Sequence, residues 1–271
     1  MTRIQRLLIP PVLAILLLVP ASILAGPGTG AASVWQKYVD VTEARIERDF
    51  RSPAGFLNIE LRNPQTVETR RKLKAGDVHI EKIRNGAGDD FKIDGAMIHH
   101  WIGAVFIPKS TLDQVLAWVQ NYDEHQRRFK DVERSQLIRR SGDTFEVYLR
   151  LVRTKVITVR YDTNHTAMYR RHDSTHASSK SVATRIVEDG EPGKDSGFLW
   201  RMNSYWRFSA EDNGVFVECE SLSLSRSIPF GLEWLIGKYL DSVPRESLED
   251  TLNTIRKGVT ESTPVIKETR R

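Results

Sequence analysis

One cysteine, Cys219, in a chain of 271 residues leaves no partner for an internal disulfide. Stability must therefore come from a packed core, and zinc sites built on several cysteines are excluded. The chain also lacks the short motifs of nucleotide or hydrolase chemistry. It has no glycine-rich phosphate loop, no G-x-S-x-G elbow and no H-E-x-x-H helix. No internal repeat or long low-complexity tract interrupts it. Nor is positive charge gathered in one place: Arg70-Arg71-Lys72 and Arg127-Arg128 are short clusters in a mixed sequence. A nucleic-acid footprint would be a concentrated basic face with interleaved aromatics, so no nucleic-acid partner is expected.

What is present is apolar material, 40% of residues, enough for a sizeable core and too much for a disordered or fibrous chain. The start of the chain is distinct. Arg3 and Arg6 precede an apolar run from Leu7 to Leu24, broken by Pro10, Pro11 and Pro20, and the small residues Ala25 and Gly26 follow. That order reads as a secretory signal peptide over residues 1–25 and predicts export to the periplasm or the cell exterior. The unbroken stretch Val12 to Val19 is shorter than the ~20 residues a spanning helix needs, although the whole of Leu7 to Leu24 could serve as a retained anchor. Loss of Arg3 and Arg6 with the leader would lower the formal charge from +5 to +3.

Residues 26–32 read as a linker, and Ser33 as the cap of a helix reaching about Arg48, with Trp35, Tyr38, Val39, Thr42 and Ile46 on one face. Residues 50–75, interrupted by Pro53 and Pro64, carry no clear pattern. Asp77 to Arg84 and Gly95 to Ile107 read as strands around a turn at residues 85–89. Ser110 with Asp113 forms an S-x-x-D capping pattern ahead of Leu112, Val115, Leu116 and Val119, one apolar helical face. Residues from Asn121 read as irregular and charged. Strands resume at Phe145, whose alternation with Val147, Leu149 and Leu151 has period two. Val156 to Tyr161, Ala167 to Arg171 and Val182 to Val187 are further strand candidates.

Phe198 to Phe208 and Val215 to Leu224 then flank a turn and predict a hairpin. With Phe208 opposite Val215, Trp206 faces Val217 and Ser204 faces Cys219. Trp200, Met202, Trp206 and Cys219 then share an apolar side. Arg201, Tyr205, Arg207, Glu218 and Glu220 share the other, read as a surface ladder of ion pairs. A slip of one residue would invert the two sides. Leu232 to Leu240, then Leu248, Thr251, Leu252 and Ile255, predict a long terminal helix with a bend near Ser242–Pro244.

The order of strands, helix, antiparallel strands and long terminal helix resembles the START-like, or polyketide-cyclase, superfamily. Three stretches carry the resemblance: Phe106 to Leu116 with Asn121-Tyr122-Asp123, the hairpin from Trp200 to Ser225, and Ser227-Ile228-Pro229 with the helix to Arg256. It also resembles exported bacterial members of unassigned activity. The fold implied is α+β, a curved antiparallel sheet wrapped around a long C-terminal helix. Residues 91–258 would form this domain, 33–90 an N-terminal extension packed on it, and 259–271 a flexible tail.

The resemblance implies a cavity between sheet and terminal helix, and the physical logic agrees: a strongly curved sheet and a single helix leave an apolar gap. Leu149, Trp200, Met202, Trp206, Cys219, Trp234, Leu235 and Tyr239 are the ligand-lining candidates. The expected partner is a lipid or other hydrophobic small molecule, with contact to a membrane surface as an adjunct. No cofactor, metal or catalytic residue is assigned, and the oligomeric state stays open. His99 and His100 point to opposite faces of a strand, and His172 with His176 reads as a polar loop rather than a metal site. Two alternatives stand beside binding. One is a cyclase- or hydrolase-like enzyme, which requires Glu218, Glu220 and Arg201 to face the cavity. The other is an envelope interaction module with a filled interior.

Overall fold

A computed structural model describes residues 27–62, 65–84, 91–93, 95–154, 158–189, 198–211, 213–227 and 233–262, except for the side chains of Lys92 and of residues 233–241. The helices are α1 (Thr29–Asp49), α2 (Asn58–Leu61), α3 (Thr66–Lys74), α4 (Leu112–Gln120), α5 (His125–Arg128) and α6 (Glu233–Ser262). The strands are β1 (His79–Lys82), β2 (Phe91–Ile93), β3 (Ala96–Pro108), β4 (Val132–Ser141), β5 (Thr144–Thr154), β6 (Thr158–Arg171), β7 (His176–Glu188), β8 (Leu199–Glu211) and β9 (Gly214–Arg226). All pairings are antiparallel, in the order β1-β3-β9-β8-β7-β6-β5-β4, with β2 also on β3. The first long strand thus pairs with the last.

The sheet has an inner face, toward α4 and α6, and an outer face, toward α1, α2 and α3. On the inner face Trp101, Val105, Phe208, Val217 and Cys219 pack with Leu112, Val115 and Leu116 of α4 and with Leu248, Leu252 and Ile255 of α6. Gly103 lets α6 approach, because a Cβ there would lie 2.6 Å from Leu252 Cδ1, 2.8 Å from Ile80 Cδ1 and 3.0 Å from Leu248 Cδ2. On the outer face Trp35, Val39 and Ile46 of α1 meet Ile98, Tyr205, Leu222 and Leu224. Leu57, Ile59 and Leu73 meet Ala104, Phe106 and Phe216. Covered on both sides, β3 reads as an almost unbroken apolar run, AMIHHWIGAVFIP.

Several expectations are corrected. Helix α1 begins at Thr29, inside the stretch read as a linker, so Ser33 is not its cap. The cap of α4 is Thr111, whose Oγ1 accepts from Gln114 N at 3.3 Å while Gln114 Oε1 accepts from Thr111 N at 2.9 Å. Ser110 instead donates to Ile107 O at 2.8 Å. The segment read as irregular contains β4, an edge strand whose Glu133, Arg134, Arg139 and Arg140 are exposed. Charge on an edge discourages further pairing and also hides the apolar alternation of a strand. Helix α6 is the expected long terminal helix, continuous across Pro244, and it extends to Ser262, beyond residue 259 where a flexible tail was expected to begin. The turn expected at residues 85–89 and the leader at residues 1–25 lie outside the described residues.

The hairpin forms two residues out of the expected register. Phe208 pairs with Val217, Trp206 with Cys219 and Ser204 with Ser221, because β8 runs to Glu211 and pairs it with Gly214. A shift of two keeps each side chain on its expected side. Only Trp200 changes sides. A register irregularity between Leu199 and Arg201 turns it outward, into the cluster beneath α1.

Candidate functional site

Register assigns the inner face. Ser181, Ser204, Ser221 and Trp101 stand in one transverse row, and His165 with Ala183, and Met202 with Ser223 and His99, form the next. Leu149 and Thr163 pair on the neighbouring strands. Burial along β8 and β9 is inverted relative to what a helix-covered face leads one to expect. Outer residues Asn203, Tyr205, Arg207, Leu222 and Leu224 are buried, whereas the inner residues Met202, Ser204, Trp206, Ser221 and Ser223 are only half-buried. Inner-face packing is tight where α4 and the C-terminal half of α6 lie, and looser beyond it.

Several polar groups line this looser part. His165 is buried, its Nε2 is 2.9 Å from Thr163 Oγ1, and burial pushes its pKa down to about 4, so it is neutral near pH 7. Burial raises the Glu188 carboxyl, outweighing the Phe198 N–H that donates to it at 3.0 Å and the Tyr161 hydroxyl. Burial also pushes the Tyr169 hydroxyl up to about 12, and it lies 2.9 Å from the Tyr122 hydroxyl. Arg153 pairs with Asp131 and donates to Val243 O at 3.4 Å, tying β5 to α6.

The outer face holds a buried charge network. Arg207, Glu218 and Glu220 are 1%, 0% and 1% exposed, which overturns the reading of a surface ladder. Arg207 Nη2 donates to Asp49 Oδ2 at 3.0 Å and Nη1 to Phe56 O at 2.8 Å. Glu218 accepts from Asn58 N at 2.8 Å and Ile59 N at 3.1 Å, at the start of α2. His100 Nε2 lies 2.7 Å from Glu220 Oε1, and Arg45 pairs with the same carboxylate. Arg62 Nη2 binds Asp49 at 2.6 Å. Guanidinium groups of Arg45, Arg62 and Arg207 thus balance the carboxylates of Asp49, Glu218 and Glu220. Burial alone would raise Glu220, but His100, Arg45 and Arg207 outweigh it and hold the carboxyl at about 2. Burial wins at Glu218, which is raised.

Of the lining candidates, Leu149, Met202, Trp206 and Cys219 lie on the inner face. Cys219 is fully packed, and burial pushes its thiol well up. Trp200 lies outside, and the side chains of Trp234, Leu235 and Tyr239 are not among the described ones. The sequence reading put Ser204 on the apolar side of the hairpin but named no serine among the lining candidates, and it named neither His165 nor Thr163, because polar residues on a strand read as solvent-facing until a covering element is known. His172 and His176 sit at the β6–β7 turn, bonded to Ser178 and Asp173 and in contact with Phe56. An open cleft of about 430 Å³ lies on the outer side, lined by Lys74, Phe106, Pro108, Glu211 and Asn213.

Among solved structures the chain is similar to a STAR-related lipid transfer protein fragment from Xanthomonas axonopodis, at 18% identity over 66% of this chain and 98% of that one, with a TM-score of 0.47. It is similar to the Zhui aromatase/cyclase from Streptomyces at 10% identity, over 62% of this chain and 97% of that one, TM-score 0.47. A third is human StAR-related lipid transfer protein 5, at 13% identity over 72% and 93%, TM-score 0.45. No protein-family model and no curated protein matches. The deciding feature is the chain's own topology, a first long strand paired with the last and a terminal helix across the inner face. The fold is an antiparallel sheet with a long terminal helix laid on one face, as the resemblance in the sequence implied. The other face of the sheet carries an outer layer, α1 to α3, locked on by the charge network.

Proposed function

We propose that this protein binds a hydrophobic small molecule, such as a lipid, between the inner face and the N-terminal half of α6. The inverted burial of β8 and β9 carries the reading: inner side chains keep accessible surface where outer ones keep almost none. Leu149, Leu151, Met202 and Trp206 supply apolar surface there, and burial of apolar area contributes ~25 cal/mol per Å². Glu218 and Glu220, the carboxylates a cyclase- or hydrolase-like reading would recruit, lie on the opposite face. With residues 1–25 read as an export signal, the ligand would be met outside the cytoplasm. The test is native mass spectrometry of protein purified from its own envelope, beside a Trp206→Arg variant. A bound small molecule lost in the variant is expected; an unchanged load in the variant would overturn the proposal.

A further inference from the structure

The inner face presents hydroxyl groups where a site for a bare hydrocarbon would present methyl groups. Ser181, Ser204 and Ser221 are direct cross-strand neighbours on β7, β8 and β9. Two strand spacings make this row about 10 Å long. Ser223 stands on the next rung, beside Met202. All four side chains are half-buried. Ser204 Oγ accepts from Trp206 Nε1 at 3.2 Å, which orients the serine and leaves its own proton to donate. Among the described residues, Ser181, Ser221 and Ser223 make no side-chain hydrogen bond, so their hydroxyls face the inner space with donors and acceptors to offer.

Among the described residues, charge on this face is already committed. Arg153 pairs with Asp131, and its Nη2 is 3.8 Å from Glu246. Lys82 lies over the Trp101 ring at 5.7 Å. Glu188 accepts from Phe198 N, and His99 Nε2 is 2.8 Å from Ser225 Oγ. An anionic group entering between these residues would lose its hydration without gaining a free counter-charge, whereas a hydroxyl or carbonyl oxygen would exchange water for serine.

Resting on the binding reading above, we propose that the ligand is uncharged over its buried length and carries hydroxyl or carbonyl oxygens along one side, met by Ser181, Ser204, Ser221 and Ser223. The experiment loads the full chain with diphenylhexatriene, a hydrocarbon fluorophore, and displaces it with 1-monooleoylglycerol or with oleate, which share an acyl chain and differ in charge. The neutral lipid is expected to compete about tenfold more strongly, and that ratio is expected to fall toward one in Ser204→Ala/Ser221→Ala. Because each ratio is taken on a single protein, altered stability or probe affinity cancels. Equal or stronger competition by oleate, or a ratio that survives the double substitution, would overturn the inference while leaving the binding site standing. Failure of the chain to take up the fluorophore or either lipid would overturn the binding reading itself.

Discussion

Arg207 of β8 reaches across to Asp49 at the end of α1, 3.0 Å between Nη2 and Oδ2, although 158 residues separate them in the chain. This pair joins the N-terminal layer to the sheet inside a buried network whose charges balance. Such a network is costly to break from one side, since a lone carboxylate is then left without water or counter-charge.

Arg207→Met is therefore expected to destabilise the fold by about 3–5 kcal/mol, measured by denaturant unfolding. A loss below about 1 kcal/mol would show that the carboxylates find other partners.

The acid limb of stability reports on Glu220. Its folded pKa of about 2 lies below its ordinary 4.5, so its contribution is present above pH 4.5 and lost as pH falls toward 2. A shift of this size is worth roughly 3 kcal/mol. Glu218, raised by burial, works in the opposite sense and offsets part of it. Glu220→Gln should flatten the stability profile between pH 4.5 and 2; a profile as steep as the native one would count against this assignment.

His165 acts in a higher window. Its pKa is lowered from 6.5 to about 4, so the unfolded chain takes up a proton first and stability declines as pH falls from 6.5 to 4. His125, also lowered to about 4 by burial, adds to the same decline. His165→Gln should remove one proton from the uptake that accompanies unfolding at pH 5, read by calorimetry in buffers of different ionisation enthalpy. Unchanged uptake would show that the imidazole is charged in the fold.

Gly103 tests the seat of α6. Gly103→Val places atoms where Leu252 and Leu248 now lie, and overpacking of this kind costs about 1–3 kcal/mol. A drop in melting temperature is expected, with exchange protection lost first along residues 248–255. Wild-type protection there would mean that the helix does not bear on this strand.

Much of the fold was legible because local periodicity survives folding. The apolar stripe of Trp35, Val39 and Ile46, the α4 face and the two sides of the β8–β9 hairpin follow from spacing alone, and even a two-residue error in register left the sides intact. The candidate site was legible only in part. Alternation put Leu149, Met202 and Trp206 on the side that the structure makes the inner face, but Trp200 was turned outward by a local irregularity that no spacing announces.

The order of amino acids settles which residues travel together on a face, because helix and strand geometry impose that with no knowledge of what lies opposite. What covers each face was settled by the assembled fold. Residues 50–75, patternless in sequence, supply the Asn58 and Ile59 amides that receive Glu218, and so convert an apparent surface ladder into a buried network. Burial of a polar strand face depends on contacts with distant segments, and those contacts leave no period in the strand itself.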